Sequence, residues 1–378
     1  MSRTSVLRSL VRSGLSSRLR TTLLLEKCDN AKLKVPSRFN SSTAPRDSQT
    51  FKLPDGRTLC YAEYGSPTGK PLLYFHGFPS SRYEGVGLHE LCKRDDLRII
   101  APDRPGYGLS TFVPERRITD WPGDVRALAT HLGLTRFAVL GCSGGGPYAL
   151  ACAHSLPSDM MSSVGLLASA GPWKEAGSHD APLPSRMIAF MTYWWPASVR
   201  ILLGATIRTL KWLVTTGPVI RRIDAWLDQV DREQAEKNEK ARIEAADGQS
   251  SSARKLSAPR ASVETPPKKS PKERRDTLLK HYVWEAFRQG PAGTVRDSQL
   301  LTWEGLGFPI EEITYNKIHI WHGEKDWQAP IRMIRFLAER LPYCELHVIE
   351  GANHHAMGDQ IESAVETLVP RDGDFEGQ

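Results

Sequence analysis

The sequence predicts an α/β fold: a mostly parallel central sheet flanked by helices, with a helical insertion before the sheet is completed. Three observations carry that prediction. Continuous apolar runs such as Pro71-Leu72-Leu73-Tyr74-Phe75 and Ser163-Val164-Gly165-Leu166-Leu167-Ala168 have the composition of strands covered on both faces. Amphipathic helical stretches alternate with those runs. The alternation then breaks at Gly171-Pro172-Trp173 and resumes only at Lys317.

Taken in order, residues 1–46 form a segment of their own. They hold ten Lys and Arg against Glu26 and Asp29, a charge of +8, so the rest of the 378-residue chain carries −1 of the total +7. Leu7, Leu10, Val11 and Leu15 recur at helical spacing among serines and arginines, with no acid before Glu26. This resembles a mitochondrial presequence, with Arg38-Phe39-Asn40-Ser41-Ser42 as a processing region. A secretory signal needs a longer uninterrupted apolar run. The alternatives are a disordered basic tail in a cytoplasmic protein or a surface-binding amphipathic helix. Because the positive charge is concentrated here, a nucleic-acid partner is not expected for the body of the chain. The six cysteines show no C-x-x-C pair, which fits a reducing compartment and neither a disulfide framework nor a zinc site.

Core elements follow over 47–172. Phe51 to Gly65 reads as two strands around the Asp55-Gly56 turn. The strand ending at Phe75 runs into His76-Gly77-Phe78-Pro79 and a helix from about Ser80 to Lys93. The strand Arg98 to Asp103 leads into Arg104-Pro105-Gly106-Tyr107-Gly108, and a helix over Thr119 to Leu132 keeps Val125, Leu128, Ala129 and Leu132 on one face. Next, Phe137-Ala138-Val139-Leu140 meets Gly141-Cys142-Ser143-Gly144-Gly145 and a helix ending before Pro157.

Residues 173–300 read as a helical lid. The span 186–230 is apolar and holds Trp194, Trp195, Trp212 and Trp226, but Arg200, Arg208 and Lys211 exclude a spanning helix. The alternative to a lid is a membrane-surface segment, and peripheral membrane contact is one expectation for it. Asp231 to Asp276 is rich in Lys, Glu, Ser and Pro without an aromatic residue, and reads as a disordered insertion at about 231–276. Ser270-Pro271-Lys272 within it has the look of either a phosphorylation site or a solvated linker. The core resumes over 301–378 with the strand Lys317 to His322, an amphipathic helix Ile331 to Leu341, the strand Glu345 to Ile349 and a helix from about Asp359 to Leu368.

The chemistry centres on Gly141-Cys142-Ser143-Gly144-Gly145. This is the G-x-S-x-G pattern in which a strained strand-to-helix turn presents a serine hydroxyl beside a free backbone N–H. A serine is a weak nucleophile and needs a base oriented by a carboxylate. Asp326 follows one late strand and His354 follows the last, and the carboxyl ends of parallel strands are where such residues converge. Less eventful readings stand beside these. Asp326 fits as a cap of the helix near Ala329, His355 as the base instead of His354, and Cys142 as a thiol nucleophile, although the x position of the turn points its side chain away.

On these residues the chain resembles the α/β-hydrolase fold superfamily, serine-nucleophile branch, over about 50–172 and 300–370. The order Ser143, Asp326, His354 is that family's order, and its G-x-x-H spacing after the last strand favours His354 over His355. The resemblance implies an oxyanion hole made by the backbone N–H groups of Phe78 and Gly144. It also implies that His76 and Asp103 are structural. His76-Gly77-Phe78-Pro79 is similar to the HGxP of epoxide hydrolases and dehalogenases, but those use an aspartate where this chain has Ser143. Cleavage of a small-molecule carboxylic ester or related acyl substrate is therefore expected, with no cofactor and no metal. His319 and His322 lack metal-ligand spacing. Within the fold the alternatives are a proline-iminopeptidase-like aminopeptidase, for which no acidic cluster is evident in the lid, and an acyltransferase. Outside it stands a non-catalytic membrane-associated scaffold.

Overall fold

The computed structural model describes residues 46–247 and 270–370. The presequence-like segment, apart from Arg46, lies outside the described residues, as do 248–269 of the insertion and 371–378.

The eight strands are β1 Arg46–Lys52, β2 Thr58–Gly65, β3 Lys70–Phe75, β4 Leu97–Pro102, β5 Phe137–Cys142, β6 Met161–Leu167, β7 Ile318–Gly323 and β8 Cys344–Ile349. They form one sheet in the order β1-β2-β4-β3-β5-β6-β7-β8. The hairpin β1–β2 is antiparallel, β2 pairs antiparallel with β4, and all later pairings are parallel. β1 begins at Arg46, so the last residue of the segment assigned to the N-terminus belongs to the sheet.

The α-helices are α1 His89–Arg94, α2 Trp121–Leu132, α3 Gly146–Ser155, α4 Trp173–Ala176, α5 Leu183–Trp194, α6 Pro196–Leu213, α7 Gly217–Asp247, α8 Pro271–Leu279, α9 Ala292–Gln299, α10 Ile331–Arg340 and α11 Ile361–Leu368. Apolar strand residues fill both faces of the sheet. Leu73, Phe75, Val139 and Val164 pack against α2, α3 and α10 on one face, and Leu72, Tyr74, Leu140 and Leu167 against α1 and α11 on the other. That double cover explains why Leu72 to Phe75 of β3 and Phe137 to Leu140 of β5 read as unbroken apolar runs rather than alternating ones.

Two expectations are corrected. The helix expected over Ser80 to Lys93 is a 3₁₀ stretch, Arg82–Leu88, followed by the short α1. Gly85 and Gly87 weaken the helix there, and Gly85 sits so close to Tyr64 that a Cβ would lie 3.1 Å from its ring. The insertion is helical over its described part. α7 continues unbroken to Asp247 and α8 starts at Pro271. Asp231 to Asp247 is too polar to be buried, but its Glu, Lys, Arg, Gln and Ala are strong helix formers, and an exposed helix needs no buried face along its whole length. α7 and α8 are tied by Arg274–Asp228 at 2.8 Å and Arg275–Asp224 at 2.6 Å. Ser270 is the N-cap of α8 in a capping box: its hydroxyl accepts from the Glu273 N–H, and the Glu273 carboxylate accepts from the Ser270 N–H.

Candidate active site

β5 delivers Ser143 to the carboxyl edge of the sheet, and the turn into α3 holds it at φ 49°, a left-handed conformation that a non-glycine residue adopts only under constraint. The constraint is packing. A Cβ on Gly145 would lie 2.1 Å from the Phe75 carbonyl oxygen, so this turn closes against β3 only with glycine there. The Ser143 carbonyl accepts a 2.8 Å bond from the Ala170 N–H, which ties the turn to the loop after β6.

The structure brings the three predicted side chains together. His354 Nε2 lies 3.1 Å from Ser143 Oγ, and His354 Nδ1 lies 2.6 Å from Asp326 Oδ2. Since the carboxylate only accepts, Nδ1 carries the hydrogen and Nε2 faces the serine as an acceptor. Asn353 Oδ1 accepts from the N–H groups of His355 and Ala356 at 3.0 Å and so shapes the loop that presents His354. Asp326 combines both roles considered for it: Oδ1 takes the N–H groups of Gln328 and Ala329 at 2.9 Å while Oδ2 holds the histidine. Burial pushes its carboxyl upward, but the bonds from His354 and the Ala329 N–H outweigh this and hold it below the ordinary aspartate value. His355 is exposed and lies 3.1 Å from Gln328 Nε2. Cys142 occupies the cavity-remote side of the turn near Tyr74 and Glu84, and burial pushes its thiol up, away from thiolate character.

Phe78 and Gly144 abut in the wall of the cavity that holds Ser143. A Cβ on Gly144 would lie 3.2 Å from the Phe78 nitrogen, and no acceptor among the described residues takes the Phe78 N–H. The loop 76–79 is held from both sides. Glu84 accepts from the Gly77 N–H at 2.9 Å and from Tyr74 at 2.7 Å. On the other side the Arg104 guanidinium donates to the carbonyls of His76 and Gly77. His76 is fully buried; its Nδ1 meets the Gly77 carbonyl and its Nε2 accepts the Arg104 N–H at 3.2 Å. Burial, reinforced by the neighbouring Arg104, pushes its pKa well down, so it is neutral and structural.

Sequence reasoning missed the charges behind this loop. Asp297 on α9 accepts from Arg104 at 2.9 and 3.0 Å, from Arg116, and from Tyr148 at 2.6 Å, all buried. Arg82 pairs with Asp103 at 2.6 Å and with Glu285 at 2.7 Å. The helical insertion is thus fastened to the core beside the loop 76–79 by two buried ion clusters. The available signal was Asp103-Arg104, two charges placed directly at the end of an apolar strand. His322 was also missed: its Nε2 donates to the Ala329 carbonyl at 2.7 Å and lies 3.5 Å from Asp326 Oδ2, bracing the turn that carries the carboxylate.

Ser143 and His354 sit in a cavity of about 280 Å³. Ile188 on α5 and Leu301 roof it with Phe78 and Trp327, and among the described residues no Asp, Glu, Lys or Arg lines it. Leu301 and Thr302 enter from a π-helical turn, Leu300–Glu304, that extends α9 over the site. Away from the cavity, His319, Glu345 and His347 gather on one face of β7–β8 with ligand-type atoms within 4.8 Å of one another. Lys317 already places its ammonium 2.6 Å from Glu345, and no metal is assigned there.

Comparison with known proteins gives the following. The model of the α/β-hydrolase fold matches residues 70–200. A proline iminopeptidase of Xylella fastidiosa is 36% identical over 112 residues, 27% of this chain and 34% of that protein. The chain thus spans about a third of the length of the curated relatives it matches. Among solved structures, a hydrolase from Pseudomonas aeruginosa superposes with a TM-score of 0.53 at 14% identity, covering 85% of this chain and 98% of that one. An esterase from Exiguobacterium antarcticum gives 0.50 at 19% identity, covering 85% and 97%. At these identities the structural likeness concerns the fold alone.

Proposed function

We propose that this chain, whose residues 70–200 match the α/β-hydrolase fold, is a serine hydrolase cleaving a neutral carboxylic ester or related acyl substrate. The observation that carries the reading is the continuous Ser143–His354–Asp326 hydrogen-bond chain beside a cavity that no Asp, Glu, Lys or Arg among the described residues lines. Ser143 Oγ attacks the acyl carbonyl carbon as His354 Nε2 takes the hydroxyl proton. The carbonyl π electrons move onto oxygen, where the N–H groups of Phe78 and Gly144 stabilise the anion, a contribution of roughly 3–4 kcal/mol per donor in comparable sites. Collapse of the tetrahedral species expels the leaving group, which collects the proton from His354. Water then repeats the sequence on the acyl-enzyme, with His354 again as base. Asp326 keeps the imidazole in the productive tautomer and stabilises its charged form.

An N-terminal proline substrate is the second reading, favoured by the similarity to proline iminopeptidases. Against it stands the cavity lining: a substrate ammonium buried there meets no carboxylate among the described lining residues. Side-by-side turnover of a neutral acyl ester series and a prolyl anilide decides between them. The proposal predicts ester turnover that Ser143→Ala abolishes. Faster turnover of the prolyl substrate contradicts it.

A further inference from the structure

We infer that the outer face of the helical insertion is a docking surface for an anionic phospholipid bilayer, with the cavity entrance at its edge. The inference goes beyond the hydrolase reading and stands without it.

The first observation is apolar exposure in ordered helices. Leu183, Met187, Phe190 and Trp194 recur at helical spacing on α5 and all four are exposed. On α6, Ile201 and Trp212 share a stripe and are 72% and 64% exposed, with Leu202 and Leu213 beside them. The corner between the helices is aromatic: Phe190 meets Trp195 edge-on at 5.7 Å, and Tyr193 stacks on Trp303 at 4.5 Å. Isolated exposed apolar residues are ordinary, but two adjoining helices that both present them are not.

The second observation is charge. Between residues 183 and 223 there are six basic residues, Arg186, Arg200, Arg208, Lys211, Arg221 and Arg222, and no Asp or Glu. None of the five arginines pairs with a carboxylate among the described residues. A second copy of the chain, docked face to face, would set these cations against themselves. An anionic lipid surface neutralises them, while tryptophan and aliphatic side chains enter the headgroup region, the composition of a helix lying in a membrane interface. No described helix is long and apolar enough to cross a membrane, so the mode is surface-lying.

The third is continuity with the site. Ile188 and Trp327 are 56% and 57% exposed and also line the cavity of Ser143. A lipid-dissolved molecule reaches the cavity along that edge without crossing bulk water.

The test uses the full chain and two vesicle preparations, phosphatidylcholine alone and an equal mixture of phosphatidylcholine and phosphatidylglycerol, with co-sedimentation as the readout. The chain is expected to sediment with the anionic vesicles and far less with the neutral ones. Trp194→Glu/Ile201→Glu/Trp212→Glu, none of them in the cavity, should reduce partitioning at least tenfold at an unchanged melting temperature. Arg200→Gln/Arg208→Gln/Arg222→Gln should reduce it by roughly fivefold per residue on the anionic vesicles only. No binding by the parent chain overturns the inference. So does binding that both variants retain, which would place it elsewhere in the chain. Concentration-dependent self-association of the parent that the Glu variant abolishes also overturns it, because a second copy would then cover the face.

Discussion

At the scale of single residues, the proposed chemistry rests on a unit rather than on three independent contributors. Ser143→Ala and His354→Ala are each expected to lower kcat by several orders of magnitude, on the order of a million-fold in the best-measured comparable triad, with the double variant scarcely worse. Asp326→Asn should cost less, roughly 10⁴-fold, since it disturbs the tautomer of His354 without removing the base. His355→Ala should leave turnover nearly intact, because its ring lies against Gln328 and away from Ser143. Ester turnover of the five purified variants, each checked for folding, settles this set; well-folded His354→Ala with normal turnover would remove the base from the mechanism. These residues stood out in the sequence because each follows a strand near its carboxyl end, and the glycines around Ser143 announced the tight turn. The neighbours that position them did not. Arg104 and Asp297 are separated by 193 residues, and nothing local in either stretch states that they meet.

At the scale of elements, the buried ion cluster joins α9 of the helical insertion to Arg104, just after β4, and through it to the loop that carries the Phe78 N–H. Asp297→Ala would leave Arg104 and Arg116 buried without their carboxylate, and is expected to cost roughly 3–5 kcal/mol. It should also depress turnover by loosening the loop 76–79. Burial alone would raise the Asp297 carboxyl, but Arg104 and Arg116 outweigh it and hold the group below its ordinary value. Its contribution is then fully present above the ordinary aspartate value, about 3.9, and is lost as pH falls through the depressed folded value. Urea unfolding should therefore show Asp297→Asn least stable relative to the parent at neutral pH, with the gap narrowing in acid. A gap that widens on acidification would contradict the assignment. Strands were the most legible elements, since the short, unbroken apolar runs of β3 and β5, each closed by a glycine-containing turn, match the pattern of a strand covered on both faces. α7 was the least legible: the polar composition of Asp231 to Asp247 reports only that the segment is not buried, and an exposed helix and an unfolded linker share that property.

At the scale of the whole molecule, one polypeptide combines a sheet covered on both faces, a helical insertion between β6 and β7, and a basic N-terminal segment. Replacing residues 248–269 by a short Gly/Ser linker is expected to leave the melting temperature unchanged, on composition alone. Extending the deletion to 231–276 removes Arg274 and Arg275, which tie α8 to α7, and should lower it. For the N-terminus, a fusion of residues 1–46 to a fluorescent protein should reach mitochondria, and substitution of Arg3, Arg8, Arg12, Arg18 and Arg20 by Glu should abolish this. Uniform cytosolic signal from the unsubstituted fusion would count against the presequence reading. The central claim is that Ser143, activated by His354, is the nucleophile of a serine hydrolase. Its most direct test is a fluorophosphonate reaction with the folded protein, followed by mass mapping of the adduct. The expected result is one stoichiometric adduct on Ser143 that is lost in His354→Ala. Modification of Cys142 in its place, or an unlabelled Ser143 in protein that still hydrolyses esters, would contradict it.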